Sequence, residues 1–482
     1  MTDSRPNLLV IMADQLRHDW LGCAGTAGVR TPHIDALAAR GTRFTHTVTN
    51  AAICVPARMA LATGLAPERT GALDNTAVLD DAVTYYQRLR DHDYRVGVIG
   101  KLDLAKSSPD NGRNGDRPAV FRWGFTHPLE AEGKMHAGRS RRPLGPYGHW
   151  LEEHGLYERF AEDYITRFRG MRGRGPVHGS GKPPSPYGRS ADLYRDSVLP
   201  ADAFEDGWLG QRAVEWIREV PADYPWHLFV SFVGPHDPYD PPAEWADRFC
   251  EADLPAAIPG GTPGKPEYAS PARWSLDDDE VMTARRQYTA SLALIDDQIG
   301  RIVAALEDRG LAENTVIAFT ADHGEMLGDH GLFQKSVPYE AAMRVPLILT
   351  GPGVEPGVSD ALVELADLNP TLCELAGLPP QPDIDARSLT PLLAGDRSPS
   401  PRRVAVCSER HYLAIRSATH KYVDTAPGRE RGAGTGLNEL YDLVADPEER
   451  CNLFLDDPEE AARLRDDLVA LARDEGHCLS RL

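Results

Sequence analysis

Three groups of residues in this sequence could do chemistry together, although each has an ordinary alternative. The first is Cys54-Val55-Pro56-Ala57-Arg58, with Thr63-Gly64 just beyond it. An isolated cysteine is most often a buried thiol, yet a thiol with an arginine pointing at it could be the root of a nucleophile whose oxyanion the guanidinium stabilises. The second group is Asp14-Gln15 and Asp322-His323, each placed directly after an apolar run. Carboxylate and amide oxygens suit a hard divalent cation, and a histidine shifts the preference towards Mn2+ without excluding Ca2+. Taken singly, an aspartate after a strand commonly caps the next helix; two such pairs on separate strands point to one metal. The third group is cationic: Lys101, Lys335 and His236. His236 lies between Pro235 and Pro238 on a rigid turn, where an imidazole could protonate a departing alkoxide or simply hold the turn. Lys335 reads either as an anion contact or as a solvated loop lysine.

Elements that could carry these residues follow from patterning. Asn7–Met12, Arg95–Ile99, His227–Val233, Thr315–Thr320 and Pro346–Thr350 are apolar runs, as expected of strands buried on both faces of a parallel sheet. Helical patterns lie between them. Thr31 is the expected N-cap of one, with Pro32 at its first position and Gly41 as its stop. Val281 to Leu306 places Tyr288, Leu292, Ile295, Ile299, Ile302 and Leu306 on one face. Leu362 to Ala376 is read as another helix despite Pro370. The alternation predicts an α/β fold with a large, mostly parallel sheet flanked by helices. In such sheets, ligands gather at the carboxyl ends of the strands, where Asp14 and Asp322 fall.

The expected division is a catalytic domain over 1–385, with an insertion at about 130–200, and a smaller α+β subdomain over 386–482. Residues near 377–402 read as a linker. Strands are expected at Val404–Cys407, Tyr412–Arg416 and Lys421–Val423, and a charged helix from Pro458 to Arg473. Within the insertion, Tyr164 to Ala191 carries Arg167, Arg169, Arg172, Arg174, Lys182 and Arg189 and no acid. It is either a solvated surface segment or a basic loop at the mouth of an anion site.

The formal charge of −20 over 482 residues disfavours nucleic acid and anionic membranes as partners. An anionic substrate then requires a locally basic pocket. The seven cysteines are scattered and lack CxxC spacing, which argues against a disulfide framework or a structural zinc site; most are expected to be buried. No stretch approaches the ~20 apolar residues that span a bilayer, and no apolar leader is evident, so a cytoplasmic location is the expectation. A homo-oligomer is compatible with such a surface.

The Cys54-Val55-Pro56-Ala57-Arg58 segment with Thr63-Gly64 resembles the C-x-P-S/A-R signature of the type I sulfatases. That resemblance extends along almost the whole chain. Met12-Ala13-Asp14-Gln15 is similar to the start of choline sulfatases and phosphonate monoester hydrolases. Thr31-Pro32-His33-Ile34-Asp35, Gly234-Pro235-His236-Asp237-Pro238-Tyr239, Thr320-Ala321-Asp322-His323-Gly324-Glu325, Gly331-Leu332-Phe333-Gln334-Lys335 and Leu440-Tyr441-Asp442-Leu443 resemble further family segments. The resemblance implies an alkaline-phosphatase-like fold. It implies that Cys54 is oxidised to formylglycine by a formylglycine-generating enzyme, and that one divalent ion, Ca2+ or Mn2+, is held by Asp14, Gln15, Asp322, His323 and the modified Cys54. Arg58, Lys101, His236 and Lys335 become catalytic candidates, and Asn75 a substrate contact. The implied reaction is hydrolysis of a small anionic sulfate ester to inorganic sulfate and an alcohol. The same machinery acting on phosphonate monoesters or phosphodiesters is the alternative, with a silent binding protein a distant third.

One position departs from the family. Gly100-Lys101-Leu102-Asp103 stands where many sulfatases have Gly-Lys-x-His. A carboxylate beside an anion is unfavourable unless paired or protonated. Asp103 is expected to pair with Lys101 or Lys106, or to bind a cationic or hydroxylated part of the substrate.

Overall fold

The computed structural model describes residues 5–107, 110–168, 190–261, 276–396, 400, 402–425 and 438–479. Eight strands form the main sheet: β1 (Asn7–Asp14), β2 (Thr42–Val48), β3 (Arg95–Gly100), β4 (His127–Glu130), β5 (Trp226–Pro235), β6 (Thr315–Ala321), β7 (Leu347–Thr350) and β8 (Gly357–Glu364). Their spatial order is β4-β3-β5-β1-β6-β7-β2-β8. All neighbours are parallel except β7, which runs antiparallel to both β6 and β2.

The apolar runs are apolar throughout because both faces of the sheet are covered. Leu9, Ile11 and Ala13 of β1 join the core beneath the long helix Asp278–Asp308, while Leu8, Val10 and Met12 join the opposite core with Val55, Met59 and Tyr85. The six apolar positions expected on one face of the long helix are all buried. Each such side chain contributes roughly 1.5–3 kcal/mol on leaving water. This helix starts with a capping box between Asp277 and Glu280.

A four-stranded antiparallel sheet follows, formed by β9 (Val404–Ser408), β10 (Leu413–Ser417), β11 (His420–Asp424) and β12 (Glu439–Asp442). The helix Pro458–Asp474 covers one face through Leu468 and Ala472. The other face packs Ala405, Cys407, Ala414 and Tyr441 against Val48, Met343 and Leu362 of the main layer. Buried Arg416 also binds Glu340 across this junction at 3.0 Å.

Several expectations are corrected. Thr31 precedes the helix Pro32–Ala39 but does not cap it. Its hydroxyl is engaged with Gly22 and Asp35, and Asp296 of the long helix instead accepts the His33 and Ile34 amides at 3.2 and 2.8 Å. Leu362–Ala376 is not one helix: Leu362–Glu364 pairs in parallel with His46–Val48, and the helix begins at Leu368, which puts Pro370 harmlessly in its first turn. The linker expected near 377–402 is docked along much of its length. Asp385 and Ala386 donate to the Gly64 carbonyl, and buried Arg402 pairs with Asp367. Of the cysteines, only Cys54, Cys373 and Cys407 are buried; Cys250 and Cys451 are exposed. Arg167 does not face an anion site, being fully buried against Asp163 and three backbone carbonyls. Arg169, Arg172, Arg174, Lys182 and Arg189 lie outside the described residues.

Candidate active site

Four adjacent strands deliver the site at their carboxyl ends. Ala13 is in register with Ala321, so Asp14 and Asp322 emerge side by side. Gly100 is in register with Ser231, which sets Lys101 next to β5. Gly100 has φ +111°, and a Cβ there would lie 2.0 Å from the Ser231 carbonyl oxygen, so only glycine permits this approach.

Cys54 is the first residue of the helix Cys54–Thr63, all ten of whose residues are buried. Pro56 is tolerated because first-turn amides have no helical acceptor. The helix ends at Gly64 in the left-handed region, with its amide donating to the Ala60 carbonyl at 2.8 Å. Arg58 lies four residues after Cys54 and therefore on the same helical face. Its Nε donates to Asp322 Oδ2 at 2.8 Å, and its Nη1 donates to the Lys101 carbonyl at 2.7 Å and Ser231 Oγ at 2.9 Å. Asn75 accepts the Val55 amide at 3.0 Å, fixing the start of the helix.

Cys54 Sγ lies 3.2 Å from His323 Nε2 and 4.0 Å from Asp14 Oδ1. One ligand atom from each of Asp14, Cys54, Asp322 and His323 falls within 4.8 Å of the others, and all four residues are buried. Two carboxylates and a thiol are poorly stable so close together unless a cation offsets them. Two carboxylates, an imidazole and a thiol gathered in this way are a donor set that fits a divalent ion. Gln15, at φ +67°, donates its amide to Asp322 Oδ1 at 3.0 Å. Its side chain turns towards Asp237, Glu325 and Lys335. Within the proposed ligand set, then, Gln15 contributes a backbone bond to Asp322 while its side-chain oxygen faces Lys335.

The basic pocket that the acidic surface requires is present. Lys101 contacts both Asp14 and Asp103, and Lys335 contacts Gln15 and His236. Burial opposes ionisation of the Cys54 thiol, but the charges of Lys101, Lys106 and Lys335 outweigh it and hold the thiol well below its usual value. Burial likewise opposes the Asp14 carboxylate, while Lys101, His236 and Arg58 keep it ionised. His323 is raised against burial by Asp322 and Cys54. His236 Nδ1 faces the Asp237 carbonyl at 2.6 Å, which leaves Nε2 towards Lys335. Cys54, Arg58, Lys101, Asp14, Asp322, His323, His236 and Lys335 thus converge, with Asp103 behind Lys101.

A family model for sulfatases matches residues 6–378. The chain belongs to the sulfatase family. A second model, for the C-terminal part of N-sulphoglucosamine sulphohydrolase, matches residues 328–474 of this sulfatase and spans the junction with the smaller sheet. The sulfatase is 29% identical to the choline-sulfatase of Rhizobium meliloti over 94% of its own length and 83% of that protein. It is 26% identical to an arylsulfatase of Clostridium perfringens, over 93% and 90% respectively. Among solved structures, the phosphonate monoester hydrolase of Agrobacterium radiobacter superposes with a TM-score of 0.74 at 26% identity, covering 98% of this chain and 96% of that one. The alkaline-phosphatase-like expectation for the fold is met by these neighbours.

Patterning did not single out Ser231, which is hidden in the apolar run of β5; a hydroxyl inside such a run was the available signal. Glu325 and Asp237, which hold Gln15, lie within recognised segments but had no role assigned. No helix among the described residues is long and apolar enough to cross a membrane.

Proposed function

We propose that this sulfatase hydrolyses small anionic sulfate esters, releasing inorganic sulfate and an alcohol, after oxidation of Cys54 to formylglycine by a formylglycine-generating enzyme. The observation that carries this reading is the placement of Cys54 at a helix N-terminus within the cluster of Asp14, Asp322 and His323, to which Arg58 of the same helix is bonded. Asp14, Asp322 and His323, with the modified Cys54, are proposed to hold one Ca2+ or Mn2+ ion, while Gln15, expected as a further ligand, supports Asp322 through its backbone amide. Bound there, the ion supplies Lewis acidity, and a hydrated formylglycine supplies one hydroxyl to attack and another to expel the anion.

The chain's own residues do the rest. Arg58 is held rigid by three hydrogen bonds and aims its remaining nitrogen, Nη2, towards Asp14. It offers fixed positive charge where oxyanion charge develops. Lys101 and Lys335 bracket the ester's anionic group from two sides. His236 Nε2 accepts from Lys335 Nζ, and the pair is proposed to flank the departing alkoxide, to which a protonated His236 would give its proton. Asn75, which accepts the Val55 amide at the start of the helix that carries Cys54, is proposed to contact the substrate.

A second reading, hydrolysis of phosphonate monoesters or phosphodiesters, is favoured by Asp14-Gln15, Asn75 and Asp322-His323 and by the likeness to the phosphonate monoester hydrolase structure. A panel of aryl sulfate, phosphodiester and phosphonate substrates separates the two. Greater efficiency on aryl sulfate is expected, and equal or greater efficiency on the diester reverses the order. Mass spectrometry of the tryptic peptide Phe44–Arg58 tests the modification; an intact thiol in fully active enzyme refutes it.

A further inference from the structure

Asp103 stands where the resemblance leads one to expect a histidine, and its surroundings define what it does. Its carboxylate lies 3.0 Å from Lys101 Nζ and 3.0 Å from Lys106 Nζ, with only 9% of the residue exposed. Lys101 Nζ also contacts Asp14 Oδ2, and the other Asp14 oxygen is 4.0 Å from Cys54 Sγ. A chain of alternating charge therefore runs from Lys106 through Asp103, Lys101 and Asp14 to the reacting residue. Asp103 adopts φ +53°, a conformation that costs a non-glycine residue on the order of 1 kcal/mol and that the two lysines retain.

The other groups facing Asp103 leave its charge fully engaged. Arg58 and Asp14 lie on the inner side. His136, on the helix Lys134–Arg139, is neutral: burial and then the positive charge of Lys106 hold it down to about 4. With both lysines on it, the carboxylate is not an open receptor for a cationic substrate group. Its effect is to cancel positive charge in the wall behind Lys101.

The classes of ester that could enter differ in this respect. A sulfate ester, a phosphodiester and a phosphonate monoester each carry one negative charge. A phosphate monoester takes a second charge near pH ~6. We infer that Asp103 is a specificity residue that tunes the pocket to singly charged esters and disfavours doubly charged phosphate monoesters. This rests on the reading of the site as an ester hydrolase and narrows its substrate class by charge.

The test compares kcat/KM for an aryl phosphate and an aryl sulfate on the mature, metal-loaded enzyme from pH 5 to 8. The sulfate ester keeps one charge throughout, so the phosphate-to-sulfate ratio cancels titration of the enzyme's own groups. In the wild type the ratio should fall by roughly tenfold as the phosphate gains its second charge. Asp103→Asn should raise the ratio at pH 8 by on the order of tenfold and flatten the fall. Lys106→Gln should lower it, and it decides the matter if the asparagine variant does not fold. A pH-independent ratio in the wild type, or an unchanged ratio in the folded variants, overturns the inference. Failure of the wild type on aryl sulfate, diester and phosphonate alike would refute the ester-hydrolase reading, and this inference with it.

Discussion

Arg58 Nε donates to Asp322 Oδ2 at 2.8 Å, with both side chains almost completely buried. This bond ties the helix that carries Cys54 to the strand end that carries the candidate metal ligands. Arg58→Ala leaves Asp322 and Asp14 short of a counter-charge in the interior and should cost about 3–5 kcal/mol of stability. Arg58→Lys keeps the charge but loses the fork that reaches Asp322, Lys101 and Ser231 together. It should lower kcat by about 10²–10³-fold with a smaller loss of stability. Urea unfolding beside steady-state kinetics separates the two; a lysine variant with wild-type kcat would sink the assignment.

Cys54→Ala should abolish turnover and leave the fold intact, because the helix is held by its neighbours and by Gly64 rather than by the thiol. Cys54→Ser should stall after one turnover with the anion trapped on the side chain, detectable as a mass increase on the Phe44–Arg58 peptide. Sustained turnover in the serine variant would count against a second hydroxyl as the route to product release.

Ser231 is fully buried, and its hydroxyl is one of three anchors on Arg58. Ser231→Ala should cost about 1–2 kcal/mol and reduce kcat by roughly tenfold, with little change in KM. A rise in KM alone would mean that the hydroxyl contacts substrate instead of positioning the guanidinium.

Asp296 links stability to pH at a place remote from catalysis. Burial pushes its carboxyl up to about 6, even though it accepts the Ile34 and His33 amides. In the unfolded chain it titrates near 3.8, so the native state binds more protons between those values. Its contribution is therefore fully present below the unfolded value and is lost as pH rises through the folded one. Asp296→Asn should remove this dependence, so that the variant gains about 2–3 kcal/mol relative to the wild type between pH ~4 and ~6. Urea midpoints at intervals across that range would show it, and a constant difference would refute the shift.

Removing the proposed ion with a chelator should abolish turnover and lower Tm, since Asp14, Asp322 and His323 lose the charge that offsets them. Adding back Mn2+ or Ca2+ should restore both. Full activity in metal-free protein, checked by elemental analysis, would reject the metal assignment.

Much of the candidate site is legible in local sequence because its residues belong to short segments with fixed roles. Cys54 and Arg58 are marked by their shared motif, although the helix that puts them on one face is seen only in the structure. Asp14 and Asp322 follow apolar runs that can only be central strands. Ser231 is not legible in this way, because its partner Arg58 is distant in sequence and its neighbours read simply as core. Thr31 carries every local mark of an N-cap, yet Asp296, from a helix far along the chain, takes the amides.

The apolar runs of the central strands and the amphipathic Val281–Leu306 pattern were thus determined by the sequence itself, since helix and strand periodicity act over a few residues. The tertiary structure alone decided which cation meets which anion. Register between β1, β5 and β6 brings Asp14, Ser231 and Asp322 around one guanidinium, and the turn at Asp103 places its carboxylate between two lysines. Those pairings depend on distances of a few ångströms between segments far apart in the chain, which local pattern does not encode.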